Sequence, residues 1–592
     1  MRLEVSREIP EDSALREQWN ALVRALESPE VFYTYEWALA VWRAYGRELL
    51  PLLFLGYEND SLVGILALAE QNRGEVSFLC ATTGDYCDFL TLPGHRDPFL
   101  AAVLADLSTR GVRRITLTNL PADSGTYEAI RRLGRHSGYH CFARTAYICT
   151  QVVIGKIGRQ PGTGELLLAG KERVRRFVKA TRGKGSVRLD HARTSEKIES
   201  LLPEFVRAHV ARFLATGRIS NLVSPERRRF LEQLSFLLSQ SGWVTLSRVV
   251  AGEKNVAWHY GFQFQGIWFW YQPTFDNELE KYSPGYYLLT RMIEEAAQDP
   301  ATERLDLGLG AEEYKDRFAN ESRRTLYVTL RSSVAQHAYE IMRFRAAQVM
   351  KSVPVLENAV RAGAARIERL KQEMARDGMG STLRRIVTRV REFFWLEEEV
   401  FFLNWGTATS VCSSAARVER LSFTDLATAA LQCHDDQETL EYLMRSASRM
   451  RKGGAECFGL IDRMGRFVHF AWRCPFEGFY LAELHARVDA PSPDSVMLFD
   501  CWTPPGARRN GYYRETVTAT AEQVRKQGKD PWIFSAARNL ASLRGLEKAG
   551  FERRYVLVRQ RVLIWQRIKG KTPQLAPPVL EQAETPSESR AS

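Results

Sequence analysis

The stretch 268–320 constrains the fold most, because strand, loop, helix, strand and glycine turn follow one another without a gap. Residues 267–272 are aromatic and β-prone. The polar loop after them ends in Ser283-Pro284-Gly285, which predicts a helix start with Ser283 as cap and Pro284 in the first turn. Leu288, Leu289, Met292, Ile293 and Ala296 then recur at helical spacing, so a helix is expected over 285–298. A second strand, 304–309, runs into Gly308-Leu309-Gly310. A strand feeding a helix whose first turn carries glycine leaves backbone N–H groups and the positive end of the helix dipole for a phosphate. An ordinary strand–helix–strand crossover with a capped helix has the same local pattern.

The motifs Tyr282-Ser283-Pro284-Gly285, Asp306-Leu307-Gly308-Leu309-Gly310 and Tyr314-Lys315-Asp316-Arg317-Phe318 occur in that order. In combination they resemble the second half of the cellulose-biosynthesis-type (CelD/BcsL) acetyltransferase domain, a branch of the GNAT superfamily. That family is also similar to the Fem-type peptidyltransferases, which carry two GNAT-like lobes in one chain. The resemblance implies an α/β (α+β layered) protein of GNAT-like modules, each a mixed, mostly antiparallel sheet flanked by helices.

At 592 residues the chain has room for about three or four domains. Its 45% apolar and 26% charged residues fit a soluble globular protein. The net charge of +12 favours phosphate groups, an acidic cofactor or a membrane surface as partners. No zinc-finger, RNP or basic-zipper pattern occurs, so no specific nucleic acid is expected. The nine cysteines form no Cys-x-x-Cys pair, which argues against a structural metal or a disulfide framework and for a reducing cytoplasm. The N-terminus lacks an apolar signal core, and no run approaches the ~18 apolar residues of a membrane span.

Residues 1–155 read as a first lobe, with helices at 13–26 and 32–46, a hairpin turning at Asn59-Asp60, a strand at 75–80, a helix at 97–110 and a strand at 114–118. Phe32, Trp37 and Asp85-Tyr86 resemble the first half of the same family. No glycine-rich turn opens its helix, so this lobe reads as degenerate and shapes an acceptor groove, with Asp85 and Tyr86 as substrate-binding candidates. Asp85 and Asp88 could equally cap turns.

Residues 156–335 read as the acyltransferase lobe. Its opening run, 171–188, holds eight basic residues and one acid. Arg175 and Arg176 there suit a clamp for an anionic ligand such as a nucleotide-sugar or lipid phosphate, and a solvated helix face is the alternative. Helices at 195–216 and 225–239 and strands at 243–250 and 256–264 precede the central stretch, and a strand at 325–331 closes it. His209 and Arg212 are substrate-binding candidates. His209 is also a candidate base, since histidine titrates near neutrality. For His209 and His259 alike, a packed histidine is the competing reading.

Residues 336–397 read as a basic helical linker, with helices at 338–350, 356–376 and 382–395. The last sets an apolar side against four arginines and suits either contact with an anionic membrane face or packing on the next domain. Residues 398–568 look like a further GNAT domain, and the tail from 569 is expected to be disordered. The superfamily's phosphate-cradling loop is matched by Arg508 and Gly511, with Tyr513 in place of its last small residue. The superfamily often carries a tyrosine four residues before the Gly that matches Gly550, as the acid for the departing thiolate. Leu546 stands there.

By resemblance, acetyl-CoA is the expected acyl-donor cosubstrate. Its sites are Ser283, Gly285 and Tyr286 in one lobe, and Arg508, Arg509, Asn510, Gly511, Tyr512 and Asn539 in the other. Tyr314, Lys315 and Glu313 are the catalytic candidates. No Ser-His-Asp elbow or zinc motif occurs, so direct attack by a bound amine is the economical chemistry. The expected activity is acetyl transfer to an amino sugar or related amine in exopolysaccharide, cellulose or cell-envelope biosynthesis, in the cytoplasm or at the inner face of the membrane. A Fem-like aminoacyl transferase using charged tRNA and a non-catalytic coenzyme-binding scaffold of a polysaccharide synthase are the alternatives.

Overall fold

The computed structural model describes residues 1–351 except 162, 169 and 311, then 395–406, 417–562, 565–571 and 580–581. The chain divides into two compact units, Met1–Arg212 with Ser220–Ser352, and Phe213–Ile219 with Val353–Ser592.

The first unit begins β1 (Arg2–Ser6), α1 (Ser13–Arg24), α2 (Tyr35–Tyr45), β2 (Leu50–Glu58), β3 (Ser61–Asn72), β4 (Glu75–Phe78), β5 (Leu90–Thr91), α3 (Arg96–Thr109), β6 (Arg114–Pro121), α4 (Thr126–Leu133) and β7 (His140–Val153). After α5 (Lys171–Thr181) the order repeats: β8 (Val187–Ala192), α6 (Ser195–Ala215), α7 (Pro225–Ser239), β9 (Val244–Ala251), β10 (Lys254–Phe264), β11 (Ile267–Phe275), α8 (Pro284–Ala296), β12 (Arg304–Leu309), α9 (Glu313–Asp316) and β13 (Glu321–Arg331). The helix α10 (Val334–Lys351) follows.

One sheet carries both halves, in the order β1-β2-β3-β4-β6-β13-β7-β12-β11-β10-β9-β8, with β5 on β3. The order is symmetric about β13·β7, because the two lobes exchange their last strands. β13 lies beside β6 of the first lobe, and β7 lies beside β12 of the second. Residue 155 therefore follows a strand that already belongs to the second lobe's side of the sheet. All neighbours within a lobe are antiparallel except β4·β6 and β11·β12. These are mixed GNAT-like modules flanked by helices.

The apolar stripe read from the sequence is the buried face of α8. Leu288, Leu289, Met292, Ile293 and Ala296 are fully buried against Trp268, Trp270, Leu305 and Leu307 of the two parallel strands. Each of the four larger side chains stabilises the fold by roughly 1.5–3 kcal/mol on burial. That packing fixes the helix start over the ends of β11 and β12.

The second unit runs β14 (Trp395–Trp405), β15 (Arg417–Arg420), α11 (Phe423–Gln432), α12 (Gln437–Lys452), β16 (Glu456–Ile461), β17 (Phe467–Pro475), β18 (Phe479–Leu481), β19 (Ala486–Val488), β20 (Ser495–Trp502), α13 (Tyr512–Lys526), β21 (Asp530–Ala536), α14 (Leu540–Lys548), β22 (Phe551–Val562) and β23 (Trp565–Lys571). Its main sheet is ordered β15-β16-β17-β20-β21-β14-β22-β23. With β14 standing for β7 and β22 for β13, this repeats the second lobe's order, including one parallel pair, β20·β21.

Some local expectations change. Trp395 opens β14 rather than closing a helix, so 395–397 belong to a sheet. Residues 569–571 lie in β23, and Leu580–Glu581 pair with Val488 and Arg487. The helices expected at 356–376 and 382–394 lie outside the described residues. No helix among the described residues is long and apolar enough to cross a membrane.

Candidate active site

The parallel strands β11 and β12 pair only over Ile267–Phe269 and Arg304–Asp306, then diverge. At the divergence β11 is bulged. Tyr260 pairs with Gln272 and Phe262 with Phe269, so β11 carries one residue more than β10 between those rungs. His259 sits under the bulge. Its ring stacks on Trp270 with centroids 4.4 Å apart, and its Nε2 accepts from the Tyr271 N–H at 3.3 Å. Full burial lowers His259 to about 3, so it stays neutral and supports the bulge rather than titrating near pH 7.

Asp306 explains the Asp-x-Gly motif. Its Oδ1 accepts from the Gly308 N–H at 2.8 Å, which holds the turn at a φ of +72°. Its Oδ2 accepts from the Tyr86 hydroxyl and from the Gln151 side-chain amide, each at 2.7 Å. One buried carboxylate thus joins the first lobe's loop, the exchanged strand and the second lobe's turn. Gly308 is needed for a second reason. A Cβ there would lie 2.7 Å from Asp85 Oδ2 and 3.4 Å from the Trp270 carbonyl oxygen.

Asp85 is therefore delivered by the first lobe to the divergence of the second lobe's strands. It keeps a partly exposed surface, but its carboxyl is closely enclosed. Burial, and then the neighbouring Asp306, raise it to about 7, while Lys315 and Arg227 pull the other way. Asp88 behaves as a turn residue. Its Oδ1 accepts from the Phe89 N–H at 2.7 Å.

Arg227 and Tyr271 fix the loop that carries Asp85. Arg227 donates to the Thr82 carbonyl at 3.3 Å and to the Tyr271 hydroxyl at 2.6 Å, and Tyr271 donates to the Thr83 carbonyl at 2.5 Å. Arg323 of β13 ties the same seam, donating to Glu30 at 2.5 Å and to Asp123 at 2.9 Å. Burial raises Glu30 to about 8 against the pull of Arg323.

The catalytic candidates separate. The Tyr314 hydroxyl accepts from Trp270 Nε1 at 3.2 Å, and burial raises its phenol. Lys315 is buried, and its Nζ donates to the carbonyls of Leu309 and Gly310 at 3.0 and 3.4 Å, which stitches the glycine turn. Glu313 is exposed and pairs with Arg317 at 2.5 Å, away from this cluster.

The phosphate-seat candidates lie at the start of α8. Ser283 occupies the cap position with a φ of 58°, but its side chain makes no capping bond, in contrast to the expected cap. Gly285 lies against Phe275. Tyr286 is buried beneath the start of α5, where Gly170 packs on its hydroxyl and Arg173 lies 5.3 Å over its ring. The start of α5 thus packs on the first turn of α8 through Tyr286, with Arg173 over the ring. Phe177 turns the apolar side of α5 inward, leaving Arg175 and Arg176 on its exposed side. His209 is buried and bonds Ser220 at 2.9 Å, a packed position. Arg212 donates to the Pro273 carbonyl at 2.9 Å and lies over Phe275.

The second unit repeats the device. β20 and β21 pair up to Leu498 and Ile533, then diverge around a cleft of about 1130 Å³. β20 is bulged opposite Phe470–Trp472, with Asp500 at a φ of 48°. His469 stands at the position equivalent to His259, and burial lowers it to about 3 as well. Arg508 lies over Trp502 at 5.4 Å and bonds the Thr503 carbonyl. Asn510 bonds the Ala507 carbonyl at 3.2 Å, Arg509 takes a φ of 70°, and Gly511 caps α13 ahead of Tyr512. Asn539 caps α14 through the Ser542 N–H. Asn539 and Arg508 line the cleft.

Sequence reasoning missed Gln151, Arg227, Tyr271, Arg323 and His469. Their partners are distant in the chain. Asp306, which Gln151 bonds, did carry a readable signal, its place in the motif.

Residues 169–316, from the edge of α5 to the end of α9, match the family model described as Acetyltransferase (GNAT) domain. This stretch of the chain is thus of the GNAT acetyltransferase class. Among solved structures, L-PGS from Bacillus licheniformis is similar at a TM-score of 0.37 and 10% identity, over 57% of this chain and 98% of that one. FemX is similar at 0.37 and 10%, over 58% and 99%. A tandem GNAT protein from the clavulanic acid biosynthesis pathway is similar at 0.33 and 12%, over 56% and 99%. A comparison with curated proteins finds no match.

Proposed function

We propose that the protein is an acyl-CoA-dependent N-acyltransferase that transfers acetyl from acetyl-CoA to an amino sugar or related amine. The observation that carries this reading is the Asp85 carboxyl, raised to about 7, at the diverging ends of β11 and β12. A base poised near neutrality suits an amine that must lose a proton as it attacks. When bound, acetyl-CoA supplies a thioester carbonyl.

Asp85 takes the proton from the acceptor nitrogen. Gly308 and Lys315 hold the turn that shapes the acceptor side. The bulge of β11, held by His259 through the Tyr271 N–H, opens the strand edge where negative charge develops on the thioester oxygen. Tyr314, whose hydroxyl accepts from Trp270 of the bulge, serves the leaving sulfur. The start of α8 with Arg173 seats phosphate. Exopolysaccharide, cellulose or cell-envelope biosynthesis is the process that the motif resemblance supports, on the cytoplasmic side of the membrane. The exposed basic side of α5 also suits a second reading, aminoacyl transfer from charged tRNA.

Calorimetric titration of the full chain with acetyl-CoA, followed by thiol release with a panel of amino sugars, tests this. Binding and turnover, with binding weakened by Gly285→Asp, are expected. Absence of coenzyme binding, with activity on aminoacyl-tRNA instead, would overturn it in favour of the second reading.

A further inference from the structure

We propose that the tip of the β22–β23 hairpin in the second unit is a docking surface for an anionic lipid bilayer, with Trp565 entering the interface and Arg567 and Lys569 meeting the headgroups. Val562 pairs with Trp565, so only Leu563 and Ile564 join the two strands in sequence. Two-residue hairpin connections favour Asn, Asp and Gly, which take positive φ readily. An apolar pair there is poor turn chemistry, and it puts four apolar residues in a row at 562–565. Trp565 is 78% exposed, more than any other large apolar side chain among the described residues.

The strand β23 is the edge of the main sheet. Its side chains alternate between two faces. Ile568 packs with Leu557 on the inner face, and Trp565, Arg567 and Lys569 stand exposed on the other. The rung partners of Arg567 and Lys569 are Gln560 and Val558, both uncharged. From 553 to 571 the sequence holds seven basic residues and no acid. Charge on an edge strand blocks pairing with another sheet, which accounts for Arg567 and Lys569 by themselves. It does not account for Trp565 or for the apolar connection. A tryptophan beside cations suits the boundary of an anionic bilayer. There the ring sits at headgroup level and each cation gains from the negative surface potential.

The tip lies at the end of the sheet that carries the cleft. Trp395, the first residue of β14, pairs with Val562, and the apolar, arginine-containing run 382–394 leads into it in sequence. Three rungs further in, about 10 Å along the strands, Glu398 pairs with Arg559. Glu398 bonds Arg538 at 2.9 Å, and Arg559 donates to the Glu483 carbonyl at 3.1 Å. Arg538 and Glu483 line the cleft. Glu397, an exposed acid on β14, accepts from Gln560 rather than meeting the two cations. A bilayer on the tip therefore holds the cleft near the headgroups, within reach of a substrate carried on lipid.

The test is flotation of the full chain with vesicles of phosphatidylglycerol and phosphatidylcholine, and with vesicles of phosphatidylcholine alone. Binding to the anionic vesicles, weakened by added salt, and none to the neutral ones is expected. Trp565→Ala should lower the partition coefficient about tenfold. Arg567→Gln with Lys569→Gln should lower it about fivefold for each cation removed. Trp565→Tyr, which keeps an interfacial ring, should retain binding. All three side chains are exposed, so Tm should not change in any variant, and the cation variant carries the test alone should Trp565→Ala fail to fold. Equal vesicle binding by wild type and variants, or no binding to anionic vesicles, overturns the docking surface. Capture of tRNA that falls in the cation variant but ignores Trp565→Ala, with no vesicle binding, assigns the cations to nucleic acid and overturns it as well. These readouts are independent of acyl transfer.

Discussion

The diverging strands of the second lobe and those of the second unit share a bulge and a buried, neutral histidine, His259 or His469. They differ in what completes them. In the first unit a neighbouring lobe reaches across an exchanged strand pair, so Asp85 and Tyr86 arrive from one lobe and Asp306 from the other. In the second unit β14 takes the place of the exchanged strand, and the groups at the cleft come from its own helices, as with Tyr513 and Ser542. The bulged frame belongs to the module. The chemistry added to it depends on what lies alongside.

The comparison can be broken most directly at Asp85. Asp85→Asn should lower kcat/KM for thiol release by about 10²–10⁴-fold, with acetyl-CoA affinity unchanged by calorimetry. At the seam, Arg323→Met leaves Glu30 buried without its cation. Glu30, already raised to about 8, is then protonated at neutral pH with a hydrogen bond unmet, and denaturant unfolding should show a loss of about 1–3 kcal/mol in the first unit and none in the second. Gly308→Ala forces a φ of +72° on alanine and presses a methyl on Asp85. A loss of roughly 1–3 kcal/mol, with reduced turnover, is expected from unfolding and rate measurements.

A subtler effect concerns pH. The folded chain raises Asp85 to about 7, so it binds that proton better than the unfolded chain does. The stability this contributes is full below the ordinary carboxylate range and is lost as pH rises to about 7. Relative to wild type, Asp85→Asn should gain in Tm progressively across that window and change no further above it. Glu30 and Asp88 titrate with the same sign but are common to both proteins. Least affected should be Arg175→Ala with Arg176→Ala. These side chains are exposed, so stability should move by no more than about 0.5 kcal/mol in thermal unfolding.

Much of the frame was legible because it is local. The apolar stripe of α8, the strand 304–309 and the glycine turn each announce themselves within a few residues. The exchange of β7 and β13 was not legible, since 140–153 has no periodicity that names its partner. The site was half legible. Motif spacing pointed to Tyr314, Lys315 and Asp85, but the task of Lys315, holding two backbone carbonyls, depends on a turn visible only in three dimensions. Glu313 and Lys315 are neighbours in sequence, yet a single helical turn sends one to solvent and buries the other. Tyr513 breaks the small-residue pattern of its loop in sequence, and only the fold shows Gly545 beneath its ring.

The central claim is that a carboxyl from one lobe serves the strands of the other. The pH dependence of kcat/KM for thiol release, in the full chain and in Asp85→Asn, tests it most directly. The wild-type protein should show a limb that rises with pH, with a midpoint near about 7, and the variant should lack it. The same limb at the same height in both proteins would contradict the account.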